Sequence, residues 1–154
     1  MKNMFKLSYI IMVIFTLSAC NVNLATHPDE SAKKEMVVQI KNYYKDIEEG
    51  YLSGKAQISL EADKESKSKI ARLGNYVIKH GYKVALISEP NYITYEEPYA
   101  IYEVTIKVKY PDDYQSELKE DTIKEKLWLN PETRLITKIE SEDEFLYSRI
   151  ASSK

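Results

Sequence analysis

Residues 99–110, YAIYEVTIKVKY, decide the fold class of this 154-residue chain. Apolar and polar side chains alternate along the stretch, with Tyr102, Val104, Ile106, Val108 and Tyr110 on one face and Glu103, Thr105, Lys107 and Lys109 on the other. A period of two is typical of a strand in an antiparallel sheet with one face on the core and the other in water. The stretch therefore predicts a half-buried antiparallel strand.

Other strands are predicted on both sides of this one. Residues 121–129 and 134–140 flank the sequence Asn130-Pro131-Glu132-Thr133. Asparagine at the first position and proline at the second suit a type I turn, so these two strands should form a hairpin. Residues 83–88, resuming at 91–95 after Pro90, predict one further strand. The sheet should thus contain about four strands.

Helical periodicity precedes the strands. A first helix should begin near Asp29 or Ser31 and end at Gly50 or Gly54, because apolar residues recur at spacings of three and four: Val37, Ile40, Tyr44, Ile47 and Tyr51. A second helix should follow Ser59 or Asp63 and close at His80-Gly81, with these residues on one face: Ile70, Leu73 and Val77.

The C-terminal end of the chain predicts a short helix, because Ser141-x-x-Glu144 has the form of a capping box. Two helices that precede a run of antiparallel strands indicate an α+β fold, with the helices on one face of the sheet.

The helix pattern Ile40-x-x-Tyr43-Tyr44 followed by Glu49-Gly50-Tyr51, at the head of this order of elements, resembles the NTF2-like (cystatin-superfamily) fold. The resemblance implies that over residues 31–140 a curved sheet wraps the first helix into a cone with a pocket. Members of that family usually have a third helix before the sheet, and none is predicted here. The alternative is a curved half-barrel, because the turn at residues 128–132 (WLNPE) resembles that of bacterial lipoprotein carriers.

The N-terminus has the architecture of a secretion signal. Lys2 and Lys6 precede an apolar run of about eleven residues, which is too short to cross a bilayer as a helix. The sequence Leu17-Ser18-Ala19-Cys20 resembles the lipobox of bacterial lipoproteins. That resemblance implies that residues 1–19 are removed and that Cys20, the only cysteine, receives lipid chains such as palmitate. The alternative is an ordinary secretory signal in which Cys20 only lies near the cleavage site.

The same resemblance implies a lipid anchor on the outer face of the bacterial cytoplasmic membrane. Residues 20–30 then form the lipidated cysteine and a polar tether, and residues 31–154 form a single domain. The first 19 residues hold two of the 22 basic side chains and none of the 24 acidic ones, so the mature chain has a formal net charge of −4. This charge argues against nucleic-acid binding. The Lys-, Ile-, Asn- and Tyr-rich composition with four glycines is typical of a Gram-positive source.

Histidines and acidic pairs give little indication of catalysis or metal binding. His27 in the tether and His80 in the second helix have no nearby thiol or third histidine, so no zinc or Cys–His site is expected. The acids at Asp112-Asp113 and at residues 142–144 lack the ligand spacing of a calcium loop. The sequence thus predicts neither a metal nor a cofactor.

Glu125 is the one candidate catalytic residue, because it shares the predicted inner face of its strand with Ile123, Leu127 and Leu129. An acid in an apolar setting can act as a general base. The resemblance to the NTF2-like family implies the same role, since isomerases and dehydratases of that family place an acid in the cone. The alternative is that Glu125 reaches water at the rim of the sheet.

Tyrosine is unusually abundant, with 13 residues against three phenylalanines. Tyr92, Tyr95 and Tyr99 lie within residues 90–99, beside Glu96-Glu97-Pro98. Tyrosine combines a large apolar ring with a polar tip and is enriched at recognition surfaces. This stretch is therefore predicted to be a protein-contacting loop, the alternative being that the tyrosines serve the core and its rim.

These features favour a non-enzymatic, membrane-tethered binding or accessory module for an envelope protein or a wall component. A second hypothesis is a small-molecule carrier or isomerase-type enzyme, which needs an apolar cavity of about 300 Å³ with Glu125 pointing inward. A third is a spacer or assembly element.

Overall fold

The computed structural model describes residues 27–49, 58–68, 79, 81–113 and 119–142. The predicted signal peptide, Cys20, most of the tether, most of the second helix with His80, and the C-terminal helix lie outside these residues. Within them the fold is α+β, and one antiparallel sheet packs with the long helix α1 (Glu30–Glu48). Its five strands are β1 (Lys83–Leu86), β2 (Asn91–Glu96), β3 (Tyr99–Lys109), β4 (Glu120–Leu129) and β5 (Ile136–Ser141).

Strand β3 is the centre of the sheet. One of its sides pairs with β4 over residues 100–109, and β4 pairs in turn with β5. Its other side is shared by β1, with Val84 opposite Val108, and by β2, with Tyr92 opposite Tyr102. The expected four strands are therefore five, because the strand predicted to resume after Pro90 is two separate strands.

The interruption between β1 and β2 has a local cause. The N–H group of Ile87 still donates to the carbonyl of Thr105 at 2.9 Å, but the next bond comes from the N–H of Thr105 to the side-chain oxygen of Ser88, at 2.8 Å. A serine hydroxyl thus replaces a backbone carbonyl in the ladder. Pro90 has no N–H to donate, so regular pairing resumes only at Asn91.

The predicted alternation along β3 and β4 is confirmed. The even-numbered residues of β3 face the core and are buried: Ala100, Tyr102, Val104, Ile106 and Val108. Pairing of β3 with β4 puts the odd-numbered residues of β4 on the same buried face: Ile123, Glu125, Leu127 and Leu129. The opposite face of the sheet carries the charged side chains, including Glu103, Lys124 and Lys126.

Helix α1 begins where the sequence predicts. Asp29 is its N-cap, and one side-chain oxygen accepts from the N–H of Ala32 at 2.7 Å. The helix ends at Glu48, before the predicted glycines, and its buried stripe consists of Ala32, Met36, Ile40, Tyr43, Tyr44 and Ile47. Because the ring of His27 lies 4.9 Å from that of Tyr95, the last residues of the predicted 20–30 tether pack with the domain.

The turn between β4 and β5 is longer than a four-residue type I turn. The side chain of Asn130 accepts from the N–H groups of Glu132 and Thr133, at 2.8 and 3.1 Å. The backbone carbonyl of Asn130 accepts from the N–H of Arg134 at 2.8 Å, and Arg134 adopts a left-handed φ of 62°. The predicted hairpin is thus confirmed, but Arg134 belongs to the turn and β5 begins at Ile136 rather than at residue 134.

Residues 58–68 cover the outer edge of β5. Ile58 forms a parallel bridge with Ile136, and the N–H of Ser59 donates to the Ile136 carbonyl at 2.8 Å. Farther along, the N–H of Ile139 donates to the hydroxyl of Ser66 at 3.0 Å. Residues 64–68 are helical, in the region of the predicted second helix, and Gly81 adopts the left-handed φ of 72° expected after its end.

Candidate functional site

Glu125 lies on the inner face of β4 and is 1 % exposed. Its cross-strand neighbours are Val104 on β3 and Ser141 on β5. Ile123 and Leu127 precede and follow it on the same face, and both are buried. Glu125 is therefore an inward acid in an apolar setting, and the alternative that it reaches water at the rim is wrong.

Tyr44 of α1 reaches this carboxylate. The tyrosine Oη donates to Oε2 of Glu125 at 2.5 Å. Helical spacing places Tyr44 one turn after Ile40, on the stripe that α1 buries against the sheet. The bond thus joins the middle of the helix to the middle of the sheet, across the core.

Tyr43 and Ser141 extend the polar cluster around Glu125. Tyr43 is buried with its ring 4.8 Å from that of Tyr44, and burial raises the pKa of its phenol well above 10, with the charge of Glu125 adding to the effect. The hydroxyl of Ser141 is buried and has no hydrogen-bond partner among the described residues. We refer to Tyr43, Tyr44, Glu125 and Ser141 as the core polar cluster.

The core polar cluster is enclosed by packed side chains. Tyr44, Ile106 and Leu127 would have to line an open pocket in the carrier or isomerase hypothesis, yet each is at most 1 % exposed and all belong to one hydrophobic core. A general base must come within hydrogen-bond distance of the substrate proton that it removes. In this arrangement Tyr44 occupies a hydrogen-bonding position on Glu125, so the geometry favours a structural pairing over proton transfer to a ligand.

The three tyrosines of the predicted contact surface lie on the β2–β3 hairpin, and all are half-buried. The ring of Tyr92 packs edge-on against that of Tyr102, with centroids 5.5 Å apart, and Lys33 Nζ lies 4.7 Å from the Tyr92 centroid. Tyr95 packs against His27. Partial burial, together with the charges of Glu97 and Glu132, raises the pKa of Tyr95.

The hairpin register separates these tyrosines into two groups. Tyr92 lies opposite Tyr102 and Tyr95 opposite Ala100, which places both on the side of the sheet that α1 covers. Tyr99 has the opposite parity on β3 and lies on the outer face. The stretch predicted to be a loop is therefore mostly strand β2, and its three tyrosines do not form one continuous face.

The described residues contain no group of three or more histidine, cysteine or acidic side chains positioned to hold a metal ion. His27 contacts Tyr95, and Asp112 and Asp113 lie in the turn after β3. No helix in the described ranges is both long enough and apolar enough to cross a membrane.

Sequence reasoning missed two features of these sites. Tyr44 was expected in the core, but its pairing with Glu125 depends on how α1 lies across β4, which periodicity does not specify. A general rule could have indicated this pairing, because a buried carboxyl and a buried phenol both require hydrogen-bond partners. The second feature is the exposure of Ile93, which follows from a shift in strand register between Tyr92 and Thr94.

Comparison with known proteins adds no functional assignment. No model of a known protein family matches the chain, and neither a curated protein nor a solved structure is significantly similar to it.

Proposed function

We propose that this chain is a membrane-tethered lipoprotein that binds another protein of the bacterial envelope and catalyses no reaction. The observation that carries the proposal is the β2–β3 hairpin, which presents the half-buried Tyr95 on one face, the half-buried Tyr99 on the other and the half-exposed Ile93 in its strand β2. Aromatic and aliphatic side chains that remain partly accessible are typical of the central residues of protein interfaces.

The core polar cluster supports the non-enzymatic form of the proposal. Glu125 is the candidate base, and Tyr44 donates to it from within the core. The carrier or isomerase alternative requires an opening at Tyr44, Ile106 and Leu127, all of which are buried. The burial of these residues thus disfavours the carrier or isomerase alternative.

The finer fold assignment is part of the same proposal. A long first helix packed on one face of an antiparallel sheet is compatible with the NTF2-like cone. In that arrangement Tyr44 and Ile40 would occupy the interior of the cone. The proposed module therefore uses a cone whose interior is filled by its own helix.

The lipid anchor is proposed from the sequence Leu17-Ser18-Ala19-Cys20. We expect Cys20→Ser to release the protein from the membrane or leave its signal uncleaved, because the thiol is the attachment atom. Metabolic labelling with a fatty-acid analogue, followed by membrane fractionation, measures this. Label that still enters the Cys20→Ser variant would contradict the assignment.

The binding role is tested by photo-crosslinking in intact cells. A crosslinking amino acid at Tyr95 or Tyr99 should capture one specific envelope protein, whereas the same amino acid at Lys126 on the charged outer face should not. Tyr92 is left unchanged because it packs on Tyr102 and its truncation would disturb the core.

The companion variant Tyr95→Ala with Tyr99→Ala should weaken capture from a probe at Asn91, which is exposed at the start of β2. Capture of the same partner at the same yield with both tyrosines truncated would reject this hairpin as the contact surface.

A further inference from the structure

The N-terminal end of the described domain is held against the β2–β3 hairpin. The ring of His27 lies 4.9 Å from the ring of Tyr95, and the next residue, Pro28, is buried. Asp29 then caps the start of α1. The polypeptide that precedes His27 therefore enters the domain beside this hairpin.

The hairpin lies at one end of the sheet. Tyr95 of β2 is opposite Ala100 of β3, and Ala100 is opposite Leu129 of β4, so the β2–β3 and β4–β5 turns lie at the same end. The turn at residues 112–113, which follows β3, lies at the other end. Because a strand rises about 3.3 Å per residue, the 11 residues of β3 place the two ends about 30 Å apart. We refer to the end with the two hairpin turns as the hairpin end.

Chain length limits the distance between the hairpin end and a lipid attached to Cys20. Six residues separate Cys20 from His27. A fully extended chain spans at most about 3.6 Å per residue, so the seven steps between these two residues reach at most about 25 Å. An anchored domain can pivot about this segment, but its hairpin end stays within about 25 Å of the attachment point.

The hairpin end is acidic. Glu96 and Glu97 are exposed at the β2–β3 turn, and Glu132 is exposed in the β4–β5 turn. Arg134, in the same turn as Glu132, is paired with Glu35 at 2.9 Å. Anionic lipid surfaces attract basic segments and repel acidic ones. These charges therefore disfavour the lipid surface itself as the partner of the hairpin end.

We propose that the hairpin end is the membrane-proximal end of the domain and that its partner is an integral membrane protein, contacted on the part that projects from the bilayer. A protein that contacts Tyr95 must come within about 25 Å of the attachment point, and a membrane-embedded protein meets this condition by its location. This inference rests on the proposed binding function and lipid anchor, and it specifies the class of the partner.

Energy transfer to labelled lipids measures the orientation. The full-length lipidated chain is inserted into phosphatidylcholine vesicles that carry an acceptor dye on some headgroups. A donor dye is attached through Glu132→Cys at the hairpin end or through Asp112→Cys at the other end, and each variant loses one acid from an exposed turn. The lipid occupies the Cys20 thiol, so only the new cysteine reacts. Transfer should be higher from residue 132, and equal or lower transfer from that residue would overturn the orientation.

A longer tether tests where the partner lies. Twelve glycine and serine residues inserted between Ala25 and Thr26 should lower photo-crosslinking from position 95 in intact cells about fourfold, because effective concentration falls roughly as the −3/2 power of linker length. The matched control adds the same twelve residues after Lys154 and should leave the yield unchanged. A yield that rises with the longer tether would overturn the inference, since the partner would then lie beyond the reach of the natural tether.

The class of the captured protein is tested separately. In cells that lack this chain, the captured protein should stay with the membranes after an alkaline carbonate wash. A captured protein that the wash releases would leave the binding function standing and reject only the integral-membrane assignment. Absence of capture at both tether lengths would reject the binding function together with this inference, and absence of energy transfer from both positions would reject the lipid anchor.

Discussion

The hydrogen bond between Tyr44 and Glu125 is the most consequential contact at the residue scale. It holds a buried carboxylate against a phenol in a core that is otherwise largely apolar. A hydrogen bond to a charged group contributes about 1.5–3 kcal/mol, and its loss is costly because the buried acceptor keeps its desolvation penalty. Substitutions that remove a single polar atom from the core polar cluster should therefore lower the stability of the domain.

We expect Tyr44→Phe to lower the free energy of unfolding by about 1.5–3 kcal/mol, because it removes the donor and keeps the ring. Urea unfolding followed by circular dichroism measures the change. The matched control is Tyr99→Phe, the same change at a half-buried tyrosine on the outer face, which should shift stability by less than about 0.5 kcal/mol.

The double variant Tyr44→Phe with Glu125→Leu should be more stable than Tyr44→Phe alone. Replacing both partners of a buried polar pair by apolar groups of similar size removes the desolvation penalty of the carboxyl group as well as the bond. A double variant that is less stable than Tyr44→Phe would contradict this account of the pair.

Tyr102 gives the domain a predicted sensitivity to alkaline pH. Burial, with smaller contributions from Tyr92 and Glu30, raises the pKa of Tyr102 to about 12 from an ordinary value of 10. Its Oη donates to the carbonyl of Lys33, at 3.3 Å. The unfolded chain loses this proton first, so the contribution is complete below pH 10 and is lost as pH rises through about 12.

The measurement is the urea midpoint between pH 8 and pH 12. We expect the midpoint of the natural chain to fall more steeply above pH 10 than that of Tyr102→Phe, which has no phenol to ionise at this position. Parallel curves for the two proteins up to pH 12 would refute the assignment to Tyr102.

At the scale of elements, helix α1 has a start that can be tested directly. Its N-terminal N–H groups have no partners within the helix, and Asp29 accepts from one of them. We expect Asp29→Ala to lower the free energy of unfolding by about 1 kcal/mol. Asp112→Ala, at an exposed turn residue, should leave urea unfolding nearly unchanged, and equal losses for both variants would argue against the cap.

Sequence patterns predicted the elements better than their connections. The alternation in β3 and the helical stripe through Ile40 and Tyr44 arise because one face of each element is buried. This burial appears in the sequence as a regular spacing of apolar residues. The break between β1 and β2 depends on a serine side chain that replaces a carbonyl, and the longer turn depends on the left-handed Arg134. Neither feature appears as a regular spacing in the sequence, so the predicted number of strands and the predicted start of β5 were wrong.

At the scale of the whole molecule, the fold class was predictable and the arrangement of the candidate site was only partly so. The inward position of Glu125 follows from strand parity, which the sequence contains. Its enclosure by Tyr44 depends on a packing angle between helix and sheet, and the division of Tyr92 from Tyr99 depends on hairpin register. These are tertiary quantities that propensity and spacing do not encode.

The contacts that complete this core join residues that are far apart along the chain. Tyr44 and Glu125 are separated by 81 residues, and Ser66 and Ile139 by 73. A ribosome delivers α1 long before it delivers β4 and β5, so the buried stripe of α1 has no permanent cover during most of synthesis. Contacts between such distant residues form slowly, because a long loop must close first. The core of the domain therefore cannot be completed until β5, the last strand, has been synthesised.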